Sequence, residues 1–280
     1  MNKPWFKCWF GDAYKKLYPH RNIAEAENQV AFLFNDLQTR DSRFKIPSQN
    51  HSPSPLLPNS PSNHSDVKIL DMGCGQGRHL DQMRNLGFRN CAGLDLSSTL
   101  LKDARQKGLR VVSGDMRHLP FPRLQFDLVT SFFTSFGYFP SMAEDVETLT
   151  QYVSVLKSGG YLFLDLINKK HLLKNLIPED QRTVDKILVS QKRFVELDNL
   201  QDGQNPDQRK AIVVKEIKMQ HLSGEIESFQ ERVRLYELSD MLHIAKGLHI
   251  DLQNSFGDEI GSPYDAEKSS RMALLFQKKE

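Results

Sequence analysis

The run Ile69-Leu70-Asp71-Met72-Gly73-Cys74-Gly75-Gln76-Gly77 constrains this chain more than any other part of it. Apolar positions and one carboxylate lead directly into a turn with glycine at every second place. The pattern predicts a buried strand, a backbone free to take left-handed conformations close to a ligand, and a helix whose N-terminus faces that ligand. The same texture continues downstream. Apolar runs at 67–72, 91–94, 110–113, 127–131 and 161–166 read as strands. Between them lie helical patterns at 76–86 and 97–107, the second stopped by Gly108, and a helix opened by the capping box Ser141-Met142-Ala143-Glu144. Gly159-Gly160 marks a turn before the fifth strand. Strands alternating with helices over short connections predict a parallel α/β sheet.

The flanking regions differ in pattern. Residues 11–40 read as helical, with Asn22 as a cap, Glu25 in the first turn, and Ile23, Ala26, Val30, Leu33 and Leu37 on one face. Residues 41–66 are crowded with serine and proline and read as a linker or loop insertion. After about residue 179 the pattern becomes β-rich, with segments near 183–189, 192–198, 210–219 and 225–236 and a turn at QDGQNPD. Mixed apolar and charged positions there suit antiparallel strands with one wet face. A helix at 239–246 stopped by Gly247 and strands at 248–252 and 272–277 complete the chain. The resulting division is an N-terminal helical cap (1–40), a linker (41–66), an α/β core (67–178), an antiparallel insertion (179–236) and the elements completing the core (237–280).

Composition narrows the function classes. Lys+Arg 37 against Asp+Glu 35 gives a net charge of +2 over 280 residues, no global signature of a nucleic-acid or membrane-surface protein. No apolar run approaches the ~20 residues of a spanning helix. The first residues lack the apolar stretch of a secretory leader, and three cysteines without a C-x-x-C pair suit a reducing compartment. The expectation is a cytoplasmic protein without a metal centre, as a monomer or homodimer.

Three successive strands each end on polar or acidic groups. Asp95 stands 24 residues after Asp71, where a carboxylate can accept both ribose hydroxyls, and Asp115-Met116 follows 20 residues later, suited to an adenine amino group and ring. The glycine spacing does not match the G-x-G-x-x-G of dinucleotide sites. The acid two positions before the first glycine would repel a pyrophosphate, yet it can hold an ammonium group.

These motifs resemble those of class I S-adenosylmethionine-dependent methyltransferases. LDMGCGQG resembles the family's D/E-x-G-x-G-x-G loop, LDLS its second motif, GDM its adenine-side motif, FDLVTSFF its fourth-strand motif and LKSGGYLFLD the approach to the fifth strand. The resemblance spans roughly 67–166. It implies a Rossmann-like, doubly wound seven-stranded sheet of order 3-2-1-4-5-7-6 with the last strand antiparallel. It also implies a bound S-adenosylmethionine, with S-adenosylhomocysteine as product. Carried over, Asp71, Gly73, Cys74, Gly75 and Gly77 form the methionine-side loop, Asp95 and Leu96 the ribose side, and Asp115 and Met116 the adenine side. Phe132 flanks the sulfonium, and Tyr14 and Tyr18 close over the cofactor.

The acceptor is less legible. No Asn/Asp-Pro-Pro-Tyr/Phe follows the fourth strand, which removes the best argument for methylating a nucleic-acid base or glutamine. The β-rich insertion resembles the lid of small-molecule methyltransferases. Candidate catalytic residues are His20 as a base and Tyr138. Candidate substrate residues are Arg21, Asp165, Asn168, and Arg232 with Arg234 on one strand face. The leading expectation is methyl transfer to N or O of a small molecule. Rival readings are a cofactor-binding protein acting through partners, a protein or RNA methyltransferase, and a nicotinamide-dependent oxidoreductase.

Overall fold

The computed structural model describes residues 4–18, 23–46, 66–197 and 210–280. The proposed Asn22 cap, residues 47–65 of the Ser/Pro stretch and the QDGQNPD turn lie outside the described residues. Seven strands form one sheet: β1 (Lys68–Met72), β2 (Asn90–Asp95), β3 (Val111–Ser113), β4 (Phe126–Ser131), β5 (Leu156–Ile167), β10 (Ile250–Phe256) and β11 (Arg271–Lys278). Their order is β3-β2-β1-β4-β5-β11-β10. β11 runs antiparallel to both neighbours and the other pairs are parallel. This is the expected order. The direction of winding reverses between β1 and β4, so the crevice beyond their carboxyl ends is where a ligand finds room.

Helices α4 (Arg78–Asn85), α5 (Ser98–Gln106), α6 (Met142–Val155) and α8 (Leu238–Gly247) pack on the sheet. The Ser141–Glu144 capping box forms as expected, and Ser97 caps α5 by accepting from the Leu100 amide. α3 (Ile23–Arg40) buries Ala26, Val30, Leu33 and Leu37, together with Gln29 and Phe34. Ile23, expected on the same face, is 68% exposed, because the apolar stripe meets its neighbours only from the second turn. Gly159-Gly160 is not a turn before β5 but part of a bulge within it, where the register to β4 shifts. A Cβ on Gly160 would stand 2.9 Å from the Lys157 carbonyl oxygen, so the bulge needs glycine. Gly247 ends inside α8 rather than after it.

The insertion forms a separate antiparallel sheet of β6 (Glu179–Val184), β7 (Ile187–Leu197), β8 (Ala211–Gln220) and β9 (Ile226–Leu235). The first hairpin turns at Asp185-Lys186, both with positive φ (47° and 67°). That tight turn suits strand twist but lacks the usual glycine, so the sequence reading placed the break several residues late. One part of this sheet packs Ile187, Val189, Ile217 and Met219 against Trp9 of α1 (Trp5–Trp9) and Leu17 of α2 (Asp12–Leu17).

A buried ionic knot ties the second sheet to the first. Arg234, at the end of β9, reaches Asp145 of α6 at 3.0 Å, with the two side chains 6% and 0% exposed. Tyr236 donates its hydroxyl to the same carboxylate at 2.7 Å. Arg234 also donates to the Pro140 carbonyl at 3.0 Å, and its amide to the Gly137 carbonyl at 2.8 Å. Removing one member of such a pair leaves a buried charge unpaired. Arg234→Met should therefore cost about 3–5 kcal/mol in denaturant unfolding; a loss below about 1 kcal/mol would show the pair to be dispensable.

Candidate functional site

The glycine turn is held against β2. The amides of Gly73 and Cys74 both donate to the Leu94 carbonyl, at 2.8 and 3.1 Å. Gly73 takes φ +67°, and a Cβ there would lie 2.6 Å from the Ser135 Cβ, so the loop after β4 closes on a bare backbone. Gly77 starts α4 at φ +74° and lies behind the turn, against Leu109, rather than in the cavity wall. Asp95 faces the turn: its two oxygens accept from the Gly75 amide at 2.8 Å and the Ser97 amide at 2.7 Å. These two bonds fix its orientation and leave lone pairs for a further donor.

The carboxyl ends of β1, β2, β3 and β4 open on one cavity of about 270 Å³. Asp71, Gly73, Cys74 and Gly75 line it from the turn, Asp95 and Leu96 from β2, Asp115 and Met116 beyond β3, and Phe132 beyond β4. Tyr14, Tyr18 and Tyr138 line it as well. Asp71 is 1% exposed. One of its oxygens accepts from the Thr130 hydroxyl at 2.8 Å, and the other, Oδ2, is buried without a hydrogen-bond partner. A buried carboxylate oxygen without a donor is costly, and here it borders a cavity able to supply one. Burial pushes the Asp71 carboxyl up to about 7, with the Thr130 hydrogen bond opposing.

The other groups are tuned differently. Burial raises Asp95 against the backbone donors that hold its charge. Asp115 is lowered by Arg117, which takes both its oxygens, at 3.1 Å and 2.7 Å. Met116 sits under the Tyr152 hydroxyl at 3.2 Å. Phe132 is 3% exposed and stacks one face on His79, centroid to centroid 4.0 Å. Burial, with Arg78 beside it, holds His79 well below its usual range, so the ring is neutral, bonded to Gln29 at 2.8 Å.

The remaining expected residues lie elsewhere. Asp165 is buried in an ion pair with Arg271 at 2.7 Å and accepts from the Phe133 amide at 2.8 Å, so it braces the loop after β4 and does not line the cavity. Asn168 caps α7 (Lys169–Asn175) and donates to the Ala266 and Ser269 carbonyls. Arg232 pairs with Glu196 on the surface of the second sheet, and Arg234 belongs to the buried knot, so the two arginines form no clamp. Strand alternation assigned them a common face but not what covers it. His20 and Arg21 lie outside the described residues.

The sequence reading missed several walls of the cavity. Trp5, Phe6 and Phe10 roof it from the N-terminal helices. Four aromatic residues within the first ten, at positions 5, 6, 9 and 10, were the available signal. Arg271 and Glu231 also line it, Arg271 on a strand paired with the distant β5 and Glu231 on β9 of the second sheet. Among the described residues no group of three His, Cys, Asp or Glu is placed to hold a metal ion. No helix there is long and apolar enough to cross a membrane.

Residues 69–160 match the family described as "Methyltransferase domain". A Streptomyces venezuelae dTDP-3-amino-3,4,6-trideoxy-alpha-D-glucopyranose N,N-dimethyltransferase is 32% identical over 99 residues, 35% of this chain and 41% of that protein. A fatty-acid O-methyltransferase of Mycolicibacterium smegmatis is 35% identical over 161 residues, 53% of this chain and 57% of that protein. The chain thus spans about half the length of the curated relatives it matches. A crystal structure of an S-adenosylmethionine-dependent methyltransferase from Clostridium acetobutylicum ATCC 824 superposes with TM-score 0.68 over 96% of this chain and 97% of that one, at 16% identity, a likeness of fold.

A pH dependence follows from Asp71. Its folded-state carboxyl, at about 7, stands above the unfolded value of 3.8. Between those values the native state holds a proton that the unfolded state has lost. This group therefore makes the ligand-free protein less stable as pH rises from about 4 to 7, with no further change above. Asp71→Asn should flatten that part of a stability–pH curve measured by urea unfolding; an unchanged slope would remove the assignment.

Proposed function

We propose that this chain, a class I S-adenosylmethionine-dependent methyltransferase in its 69–160 domain and its fold, transfers a methyl group from that cofactor to N or O of a small-molecule acceptor. The observation that carries the reading is the unpartnered Oδ2 of Asp71 in the same cavity wall as the oriented Asp95. The residues fit the cofactor. Asp71 suits the amino-acid ammonium, the bare backbone at Gly73 and Gly75 admits the methionine part, Asp95 suits the ribose hydroxyls, and Met116 offers an apolar surface to adenine.

When bound, the cofactor supplies a methyl group already activated by its sulfonium. The protein's own task is then alignment and exclusion of water. The loop after β4 is rigid where it approaches the glycine turn: Phe133 and Thr134 both take positive φ (53° and 60°), held by the Phe133 amide on Asp165 and the Thr134 amide on the Asp165 carbonyl. Two residues in that strained conformation persist only because the surroundings fix them. The roof of Trp5 and Phe10 with the second sheet screens the cavity from bulk water, so that orientation supplies much of the acceleration. A roofed cavity also favours a small acceptor over a protein or RNA.

Thermal unfolding tests the cofactor. S-adenosylmethionine and S-adenosylhomocysteine at 100 times their dissociation constants should each add ~2.7 kcal/mol, while NAD adds nothing. Stabilisation by NAD alone would overturn the reading. Asp95→Ala should weaken binding of either sulfur ligand by ~1.5–3 kcal/mol in calorimetry; equal affinity would show that the carboxylate does not hold the ribose.

A further inference from the structure

The second sheet contributes two side chains to the cavity, Glu231 and Val233, two apart on β9 and therefore on one face. Any acceptor lying between the cofactor crevice and that sheet meets them. Glu231 is four-fifths buried, its side chain 20% exposed. Trp9 donates its indole N–H to Oε1, and the Lys215 ammonium stands 3.3 Å from Oε2. Lys215 also donates to the Tyr18 hydroxyl and lies 4.9 Å from the centre of that ring. These contacts fix the Glu231 carboxylate beside Tyr18 and leave it further lone pairs, since each carboxylate oxygen accepts two hydrogen bonds.

The cations of the cavity wall are committed to carboxylates. Lys15 is 2.7 Å from Asp103, Arg78 is 3.0 Å from Glu25, and Arg271 is 2.7 Å from Asp165. An acidic acceptor would have only the N–H groups these pairs leave over, on cations whose charge is already offset, and would also face Glu231 and the electron-rich faces of the tyrosines. A basic acceptor shares Glu231 with Lys215, using the lone pairs that Lys215 and Trp9 leave on it, beside the tyrosine faces.

Resting on the methyl-transfer reading, we infer that the acceptor is an amine on an apolar body, its nitrogen beside Glu231 and the Tyr18 ring, its body along Val233 and Ile167. The chemistry fits the charges. The lone pair of the neutral amine forms the N–C bond to the methyl carbon, the C–S bond breaks, and its electron pair stays on sulfur as S-adenosylhomocysteine leaves. The positive charge passes from sulfur to nitrogen, and the nitrogen then loses its extra proton to water. A carboxylate with an aromatic face favours a cation at the start and at the end of that step. An oxygen acceptor reacts best after losing its proton, and the resulting anion would be repelled by Glu231.

The test uses the full chain loaded with S-adenosylhomocysteine and three small probes of similar size: tetramethylammonium, tert-butanol and acetate. Affinities are read by ligand-observed NMR. Tetramethylammonium should bind roughly fivefold more tightly than tert-butanol, the range expected of a cation over aromatic faces, and acetate should be weakest. Glu231→Gln keeps an acceptor for Trp9 and removes the charge. It should abolish the preference for the cation while the affinity for S-adenosylhomocysteine stays within about twofold, a control for folding. Acetate or tert-butanol binding as well as the cation, no binding of the cation, or a preference that survives in Glu231→Gln would each overturn the inference. Failure of S-adenosylhomocysteine to bind the unaltered protein is a separate readout; it removes the methyl-transfer reading, and the acceptor assignment falls with it.

Discussion

The close approach of the glycine turn to the second strand is the contact on which the rest of the site depends. Two successive amides, of Gly73 and Cys74, share one acceptor, the Leu94 carbonyl, at the moment the chain leaves β1. β2 accommodates the turn because Gly93 has no side chain: a Cβ there would lie 2.5 Å from the Cys74 sulfur. With the turn pinned, Asp71 stays at the end of a buried strand, Asp95 points back at the Gly75 amide, and α4 begins at Gly77 with its His79 against Phe132. A side chain at Gly93 would push the turn outward and disturb three walls of the cavity together. That is why one small residue on a neighbouring strand carries as much of the site as the glycines in the turn itself.

What the sequence disclosed follows the range over which its signals act. The sheet core was legible because strand, turn and helix each declare themselves within a few residues, and because parallel strands with helical crossovers have few allowed arrangements. Asp71, Asp95 and Met116 were found in register for the same reason. Arg232 and Arg234 show the limit of that reasoning. Alternation put both on one strand face, but only the tertiary arrangement places Asp145 of α6 beside Arg234 and leaves Arg232 at the surface. Asp165 reads in sequence as a candidate for substrate because it stands near the end of the fifth strand. Its partner Arg271 lies 106 residues later on an antiparallel strand, and no local pattern announces that pairing.

The Asp165–Arg271 pair also explains how α3 reaches the site. Gln29 of α3 donates to Asp165 at 3.3 Å and accepts at its other end from His79 at 2.8 Å. Since an ionised carboxylate can only accept, the Gln29 amide group must face Asp165 and its oxygen must face His79. His79 is then the donor at Nε2, which fixes its tautomer. A neutral imidazole suits this place: its flat face covers Phe132 without bringing another charge to a crevice that already holds Asp71 and Arg78. The helix outside the sheet thus sets the protonation pattern of a residue in the cavity wall.

The N-terminal helices have two roles that cannot be separated physically. The second sheet has an apolar patch of Ile187, Val189, Ile217 and Met219 that needs a cover, and Trp9 and Leu17 provide it, both fully buried. Trp5 and Phe10, packed against the same cluster, roof the cavity. The helices also meet the core: Ser97 donates its hydroxyl to the Phe10 carbonyl, Lys15 pairs with Asp103, Trp5 and Phe10 pack on Tyr138, and Phe6 packs on Phe139. Burying each large side chain of that patch stabilises by about 1.5–3 kcal/mol, whereas an exposed ion pair such as a lysine latch contributes ~1 kcal/mol or less. Apolar packing, on the second sheet and on Tyr138 and Phe139 of the loop after β4, therefore holds the roof down more than its ion pair does. Roof and second sheet thus share one apolar cluster, and the same sheet is tied to the core by the buried Arg234–Asp145 pair.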